Sequence, residues 1–253
     1  METKKVKNRA DELVSAIVDA IRGIIKDKDV TYEEYRAAVG LLNGFNGAKP
    51  YEVNLCCDMF FEQTVLDQVG THLDGSRPIL KGPYFLEGAP EITDQIKTVP
   101  GEGEPFKIRA RFEDSDGNPL EGVLVDIWHA NPEGNYSGHF SDFPMEYFRG
   151  KVRTDANGSF EVKTTKPKEY PIPMDGPTGK ILRAMEKQEW RPAHIHFICE
   201  KEGFHTHISQ AYFDDHNFLN EDVVDGVRPD VIHKVKDEGE FQAIDVKIVL
   251  NKK

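Results

Sequence analysis

Residues 191–199 read Arg-Pro-Ala-His-Ile-His-Phe-Ile-Cys, and this segment indicates more about the fold than any other. Histidine and apolar side chains alternate from 194 to 197, which predicts a strand because successive side chains of a strand point to opposite faces. His194 and His196 therefore project from one face and can offer two imidazoles to one metal ion. The pair alone is a weak signal, because His205 and His207 repeat the pattern nearby.

Around this segment, short β-rich runs alternate with turn signals from about residue 78 to the end of the chain. The runs are 106–112, 122–130, 148–154, 160–165, 194–199, 207–213 and 243–250. Asn157-Gly158 lies between two of them and is typical of a type I′ hairpin turn. The spacing predicts a mainly β fold, with an antiparallel β-sandwich domain at residues 78–253.

The sequence pattern of the first part of the chain, residues 1–77, predicts helices. Apolar residues recur at helical spacing in 13–25, 35–42 and 55–65. Thr31, followed by Glu33 and Glu34, predicts an N-cap with acidic residues in the first helical turn. This helical region is either a cap that covers the sandwich or a dimerisation surface.

Composition narrows the classes of function. The chain has 253 residues, 38% hydrophobic, and a formal net charge of −12. It is therefore long and apolar enough to fold, and its negative net charge disfavours nucleic acids and anionic membranes as partners, because both need a basic surface. No stretch approaches the ~20 apolar residues of a membrane span. The charged first residues, with no apolar signal segment behind them, predict a cytoplasmic location.

Two tyrosines lie in segments that accompany the histidine strand. Residues 128–137, Trp-His-Ala-Asn-Pro-Glu-Gly-Asn-Tyr-Ser, place Tyr136 in a loop just beyond a strand. Residues 170–179 place Tyr170 in a backbone that prolines stiffen. With the histidine strand, these segments resemble the intradiol ring-cleavage dioxygenases. The resemblance covers nearly the whole chain and is closest to the chlorocatechol and catechol 1,2-dioxygenase branch, through residues 81–90, 147–151 and 190–194.

The resemblance implies one non-haem iron(III) ion per subunit, held by four side chains. These are Tyr136, Tyr170, His194 and His196. The donor set makes chemical sense, because a trivalent cation stabilises phenolate at neutral pH and hard phenolate oxygens favour iron(III) over iron(II).

The resemblance also implies an activity, the opening of a catechol ring by O2 between its two hydroxyl-bearing carbons to give a cis,cis-muconate. Tyr170 is the ligand expected to leave the metal and take a proton when the substrate binds. Arg191 is expected to stabilise negative charge on the attacked ring carbon, and Gln210 to support the site. The alternatives are a surface salt bridge for Arg191 and a solvent-facing amide for Gln210.

By the same resemblance, the substrate ring lies between a helix and the segment that enters the sandwich. The implied pocket residues are Leu55, Asp58, Met59, Leu80, Gly82 and Tyr84. Core packing is an equally good interpretation of Leu55 and Leu80. Catechol and its halogenated or methylated derivatives are the expected substrates, and hydroxyquinol is the alternative because residues 170–177 are similar to the hydroxyquinol branch.

The family joins two subunits through its N-terminal helices, sometimes around a bound phospholipid, so a homodimer is expected. Two other classes of function stay open. A zinc or iron(II) enzyme of the cupin type would use three histidines, or two with a carboxylate, and would leave Tyr136 and Tyr170 idle. A non-catalytic β-sandwich binding module would hold no stoichiometric iron.

Overall fold

The structure, a computed structural model, describes residues 9–49, 51–139 and 144–253. The chain divides after Lys49 into two compact units. The first contains α1 (Arg9–Asp27) and α2 (Tyr32–Asn43). Thr31 caps α2 as predicted: its hydroxyl accepts a hydrogen bond from the Glu34 N–H at 3.2 Å, and the Glu34 carboxylate accepts one from the Thr31 N–H at 2.8 Å. None of the helices in the described parts of the chain is long and apolar enough to cross a membrane.

The second unit begins with a helical segment that covers the predicted helix at 55–65. It consists of α3 (Glu52–Cys57), a π-helical turn (Asp58–Glu62) and α4 (Gln63–Gly70). A further short helix, α5 (Pro177–Ala184), lies between strands. Two links join α3 to the start of α5: the Thr178 N–H donates to the Glu52 carboxylate at 3.1 Å, and the Thr178 hydroxyl donates to the Glu52 carbonyl at 3.2 Å. The predicted domain boundary at residues 77 and 78 stays a prediction.

Eleven strands are present in the described part of the second unit. They are β1 (Pro105–Glu113), β2 (Leu124–His129), β3 (Arg149–Arg153), β4 (Ser159–Thr165), β5 (Tyr170–Pro171), β6 (Trp190–Arg191), β7 (His194–Glu200), β8 (His207–Phe213), β9 (Ile232–His233), β10 (Lys236–Asp237) and β11 (Gln242–Val249). Every predicted run overlaps one of them. The four-stranded sheet has the order β10-β11-β1-β4, the five-stranded sheet β3-β2-β7-β8-β9, and β5 pairs with β6.

The pairing is mixed, so the predicted β fold with an N-terminal helical region is confirmed, but the antiparallel detail of the predicted sandwich is not. β1 runs parallel to β11 over eight residue pairs, from Phe106↔Gln242 to Glu113↔Val249, and β8 runs parallel to β9. The other pairs are antiparallel. No hairpin connects β1 to β11, which lie more than a hundred residues apart, so no local turn sets their relative direction.

The Asn157-Gly158 turn also differs from its prediction. It joins β3 to β4, which belong to different sheets, and therefore closes no hairpin. A type I′ turn needs positive φ at both central residues, but only Gly158 (φ +70°) has it. The Asp155 carboxylate accepts hydrogen bonds from the N–H groups of Asn157 and Ser159, each at 2.9 Å, and backbone hydrogen bonds of Asp155 with Gly158 and Ser159 close the same turn.

One hydrophobic core contains side chains from both large sheets. β1 and β11 of the four-stranded sheet contribute buried apolar residues, and β2, β7 and β8 of the five-stranded sheet contribute others. On β7 the core residues are Ile195, Phe197 and Cys199. By strand alternation, His194 and His196 lie on the opposite face, and both are 1% exposed. Loops and helices therefore cover that second face as well.

Candidate metal centre

The outer face of the five-stranded sheet carries the centre of the site. His196 is paired in register with Trp128 on β2 and with Gln210 on β8, and His194 is paired with Tyr212. The Trp128 indole stacks on the His196 imidazole, with centroids 4.5 Å apart and planes 5° apart. We call these five residues the site face. Its histidines are held by strand register and aromatic packing rather than by a loop.

The two histidines direct the same ring atom toward each other. The Nε2 atoms of His194 and His196 lie 3.0 Å apart. His194 Nδ1 donates to the Pro192 carbonyl at 2.8 Å, which leaves the lone pair of this ring on Nε2. Burial lowers the pKa of both imidazoles well below the usual value, and the nearby positive charge of Arg191 lowers each further. Both rings are therefore neutral, the form that binds a metal.

The two tyrosines reach this point from separate segments. Tyr136 follows β2 in a loop that the Asn131 side chain shapes by accepting hydrogen bonds from the N–H groups of Glu133 and Asn135. Its hydroxyl lies 3.2 Å from His196 Nε2. Tyr170 lies in β5, and its ring centroid is 5.1 Å from that of Tyr136. All four predicted ligands are thus buried together.

The donor set fits a trivalent metal ion. Burial raises the pKa of Tyr136 well above that of a free phenol, so this side chain stays protonated until a cation offsets the charge of the phenolate. Among the residues that the structure describes, no cluster of three or more His, Cys, Asp or Glu side chains could hold a metal ion. The side chains of Tyr136 and Tyr170 lie beside His194 and His196 and can supply phenol oxygens.

Arg191 lies against the ligands and is 3% exposed. It pairs with Tyr170 across β5 and β6, and its Nη1 is 3.5 Å from the Tyr170 hydroxyl and 3.3 Å from His194 Nε2. Burial acts to lower the pKa of this guanidinium, but the carboxylate of Asp222 and the neighbouring phenols raise it well above the usual value. Arg191 is thus a permanent cation inside the site, not a surface salt bridge.

Gln210 is also buried, at 1% exposure, and is not the solvent-facing amide of the alternative interpretation. Its Nε2 donates to the Leu80 carbonyl at 2.8 Å, and its Oε1 accepts from Arg191 Nη2 at 3.1 Å. It therefore ties the segment that enters the sandwich to Arg191. The catalytic role of Gln210 stays a prediction.

The predicted pocket residues fall into three groups. Tyr84 stacks on Tyr136, with centroids 4.5 Å apart, and Gly82 lies so close to His196 that a Cβ there would meet the ring at 3.3 Å. The second group packs in one buried cluster with Tyr212; it consists of Leu55, Met59 and Leu80. Asp58 is half-buried, and burial raises its pKa while Glu62 and Lys81 interact with it. No described contact joins Asp58 to the four ligands.

Sequence reasoning missed three residues of this site. Asp222 pairs with Arg191, and Tyr212 donates to Gln210. Arg149 donates to the Ser137 hydroxyl at 2.9 Å and to the Tyr84 carbonyl at 2.9 Å, and so ties the Tyr136 loop to the pocket segment. The position of Tyr212, two residues after Gln210 on a predicted strand, could have placed it on the same face. Asp222 lies in a loop with no periodicity to indicate it.

Comparison with known proteins agrees with this centre. Residues 80–251 match the family described as "Dioxygenase", and residues 7–73 match "Catechol dioxygenase N terminus". The chain therefore belongs to the catechol dioxygenase family, which confirms the resemblance to the intradiol ring-cleavage enzymes.

Individual relatives give a finer comparison. The chain is 40% identical to a chlorocatechol 1,2-dioxygenase of Pseudomonas sp. (strain P51), covering 98% of each chain. The crystal structure of chlorocatechol 1,2-dioxygenase from Pseudomonas putida matches with a TM-score of 0.90 at 36% identity, covering 97% of this chain and 99% of that one. Hydroxyquinol 1,2-dioxygenase from Pseudomonas putida DLL-E4 matches with a TM-score of 0.89 at 25% identity, over 99% of this chain and 94% of that one.

Proposed function

We propose that this protein is an iron(III)-dependent intradiol dioxygenase that cleaves catechol and its chloro- or methyl-substituted derivatives with O2 to cis,cis-muconates. The observation that carries the proposal is the meeting of two phenols and two neutral imidazoles beside a buried guanidinium. The sequence similarity to chlorocatechol 1,2-dioxygenases supports the substrate class. The two sheets that share the core would act as the sandwich that presents this centre.

Four side chains would hold the iron: Tyr136, Tyr170, His194 and His196. A bound ferric ion would supply a Lewis acid and a template for a catechol bound through both oxygens. Tyr170, which would hold the ion as a phenolate, would take up one substrate proton at its phenolic oxygen, and Arg191 Nη1, 3.5 Å from that oxygen, would stabilise the negative charge that develops on the ring. Tyr84, stacked on Tyr136, would form one wall against the aromatic substrate.

Colour and metal content test the proposal together. The purified protein should contain one iron per subunit and absorb visible light through tyrosinate-to-iron charge transfer. Tyr136→Phe and Tyr170→Phe should each shift or abolish the band, while Tyr147→Phe, a tyrosine outside the ligand set, should keep it. Stoichiometric zinc, or a colourless iron(II) protein, would support the cupin-type alternative. A metal-free protein that binds no iron would support a non-catalytic binding module.

Hydroxyquinol is the second candidate substrate, because the fold also matches a hydroxyquinol 1,2-dioxygenase closely. Three predicted pocket residues of the helical segment, Leu55, Asp58 and Met59, would contact the substituents of the substrate ring. Specificity constants for catechol, 4-chlorocatechol, 4-methylcatechol and hydroxyquinol decide between the candidates. A strong preference for hydroxyquinol would overturn the proposed ranking.

We also propose a homodimer joined through the N-terminal helices, within the proposed division into residues 1–77 and 78–253. The support is a row of exposed apolar side chains along α1, where Leu13, Ile17, Ile21 and Ile24 are 46–60% exposed. Sedimentation at micromolar concentration should give twice the monomer mass, and Ile17→Lys with Ile21→Lys should give the monomer.

Two further expectations have their own tests. Lipid extraction and mass spectrometry would test for a phospholipid at this surface, and cell fractionation would test the cytoplasmic location.

A further inference from the structure

The guanidinium of Arg191 is held from one side by a single carboxylate. Arg191 Nε donates to Asp222 Oδ1 at 3.0 Å, and Nη2 donates to Oδ2 at 3.1 Å. The two side chains are only 3% and 2% exposed. Asp222 lies 31 residues beyond Arg191, between β8 and a 3-10 turn at Pro229–Val231, so the pair joins two distant segments.

This pairing fixes the direction in which Arg191 faces. A guanidinium is planar, and Asp222 occupies the edge formed by Nε and Nη2. The remaining nitrogen, Nη1, consequently points away from Asp222, toward the Tyr170 hydroxyl and His194 Nε2. Turning the plane would break two charge-assisted hydrogen bonds between side chains that are almost fully buried. Nη2 also donates to Gln210 Oε1 at 3.1 Å and to the Tyr212 hydroxyl, but each of these accepts from one guanidinium nitrogen only. Asp222 accepts from two nitrogens and carries the negative charge, so the contact between Nη1 and the ligands depends mainly on this carboxylate.

Asp222 is itself held in place. The Gly226 N–H donates to Asp222 Oδ2 at 3.0 Å, and the Asp225 N–H donates to the Asp222 carbonyl at 3.0 Å. A Cβ on Gly226 would lie 3.2 Å from Oδ2, 3.2 Å from Arg191 Nη2 and 3.1 Å from the Tyr212 hydroxyl. The turn that carries Asp222 thus packs its backbone directly on the guanidinium.

We propose that Asp222 is a positioning residue that orients Arg191 toward the four metal ligands and affects the reaction only through Arg191. This inference rests on the proposed function for its effect on turnover, but not for its effect on the orientation of Arg191. The two parts can therefore be measured separately.

The first measurement uses the iron-loaded full-length protein. Asp222→Asn keeps the size of the side chain but removes the charged acceptor. Iron content, the charge-transfer band and anaerobic catechol affinity should stay close to those of the unsubstituted protein, while kcat should fall about 100-fold, the scale expected for a misplaced stabilising group. Asp126→Asn is the matched control, because Asp126 is a buried carboxylate on β2 that pairs with Lys151 and should leave kcat unchanged.

A double-mutant cycle shows whether the effect passes through Arg191. Arg191→Met combined with Asp222→Asn leaves no unpaired buried charge, and it should turn over as slowly as Arg191→Met alone. Losses in kcat that multiply in the double variant would overturn the proposal, because Asp222 would then act independently. Gly226→Ala, which presses on Nη2 without removing a charge, should lower kcat with KM little changed. A loss confined to KM would contradict the proposal.

The second measurement uses the iron-free protein and needs no activity. In the unsubstituted chain the Arg191 Nε–H should exchange slowly with solvent and give a separate signal in a nitrogen-15 spectrum, and Asp222→Ala, which removes both acceptor oxygens, should remove that protection. Protection retained in Asp222→Ala would overturn the positioning role. If the protection is lost as expected but the unsubstituted protein cleaves no catechol, the proposed function fails and the orientation of Arg191 by Asp222 stands.

Discussion

At the scale of single residues, the site separates into side chains that a pattern indicates and side chains that only the fold brings near. His194 and His196 were predictable because strand alternation places them on one face, and Tyr136 and Tyr170 because their segments resemble a known family. The structure places all four together, and their function as ligands stays a prediction. Asp222 had no such signal, since its partner lies in another part of the chain.

Gly82 gives a residue-scale prediction. Its φ is +74° and a Cβ would meet the His196 ring at 3.3 Å, so Gly82→Ala should displace this imidazole and lower the iron bound per subunit. Gly203→Ala is the matched control, because Gly203 has a similar φ of +82° with nothing within 4 Å of the added carbon. It should cost only about 1 kcal/mol of backbone strain and retain iron. Equal iron content in both variants would show that contact with His196 is irrelevant.

Arg149 gives a second prediction at the scale of single residues. Its fork donates to the Ser137 hydroxyl and carbonyl and to the Tyr84 carbonyl, while a lysine offers a single point charge. Arg149→Lys should loosen the Tyr136 loop, which would broaden the charge-transfer band and speed iron loss to a chelator. Arg153→Lys, at the exposed end of β3, should behave like the unsubstituted protein. Equal chelation rates in the two variants would contradict this role.

At the scale of secondary structure elements, the positions of the seven longer strands followed from the sequence, but not all their partners, and the two-residue strands β5, β6, β9 and β10 were not predicted. The β-rich runs 106–112 and 243–250 predict β1 and β11 individually. Their parallel pairing depends on how the whole chain returns to the first strand, which no local turn determines. The Asn157-Gly158 signal was misleading for a related reason, because a glycine with positive φ serves a turn between sheets as well as a hairpin.

The link between α3 and α5 carries a prediction at this scale. Glu52 is 1% exposed, and its carboxylate accepts the Thr178 N–H in the first turn of α5. Glu52→Ala should therefore lower the free energy of unfolding by about 1–2 kcal/mol, the usual contribution of a helix cap, as measured by urea denaturation. Thr178→Ser keeps the hydroxyl that donates to the Glu52 carbonyl and should cost less. An unchanged midpoint in Glu52→Ala would rule out the link as a source of stability.

At the scale of the whole molecule, acid sensitivity follows from buried neutral histidines. Burial and the charge of Arg228 lower the pKa of His207 to about 4, whereas an unfolded histidine titrates near 6.5. The unfolded state therefore binds more protons between these values, and the unfolding free energy falls as the pH drops from 6.5 toward 4, by about 3 kcal/mol for this residue.

Replacement of His207 tests whether this residue makes the unfolding free energy depend on pH. His207→Gln should flatten the pH dependence of the unfolding free energy between pH 7 and pH 5, because one buried group no longer has to stay unprotonated. His205→Gln changes the exposed histidine of the same pair and should leave the slope as it is. If both variants keep the slope of the unsubstituted protein, His207 does not contribute to acid sensitivity.

The stacking of Trp128 on His196 gives the molecule an optical reporter. The chain has two tryptophans, and the other, Trp190, stacks on Phe218 instead. An indole in face contact with a metal-bound imidazole should lose its fluorescence when iron arrives. In a Trp190→Phe variant, ultraviolet emission would then report the occupancy of each subunit continuously, without substrate and before any turnover.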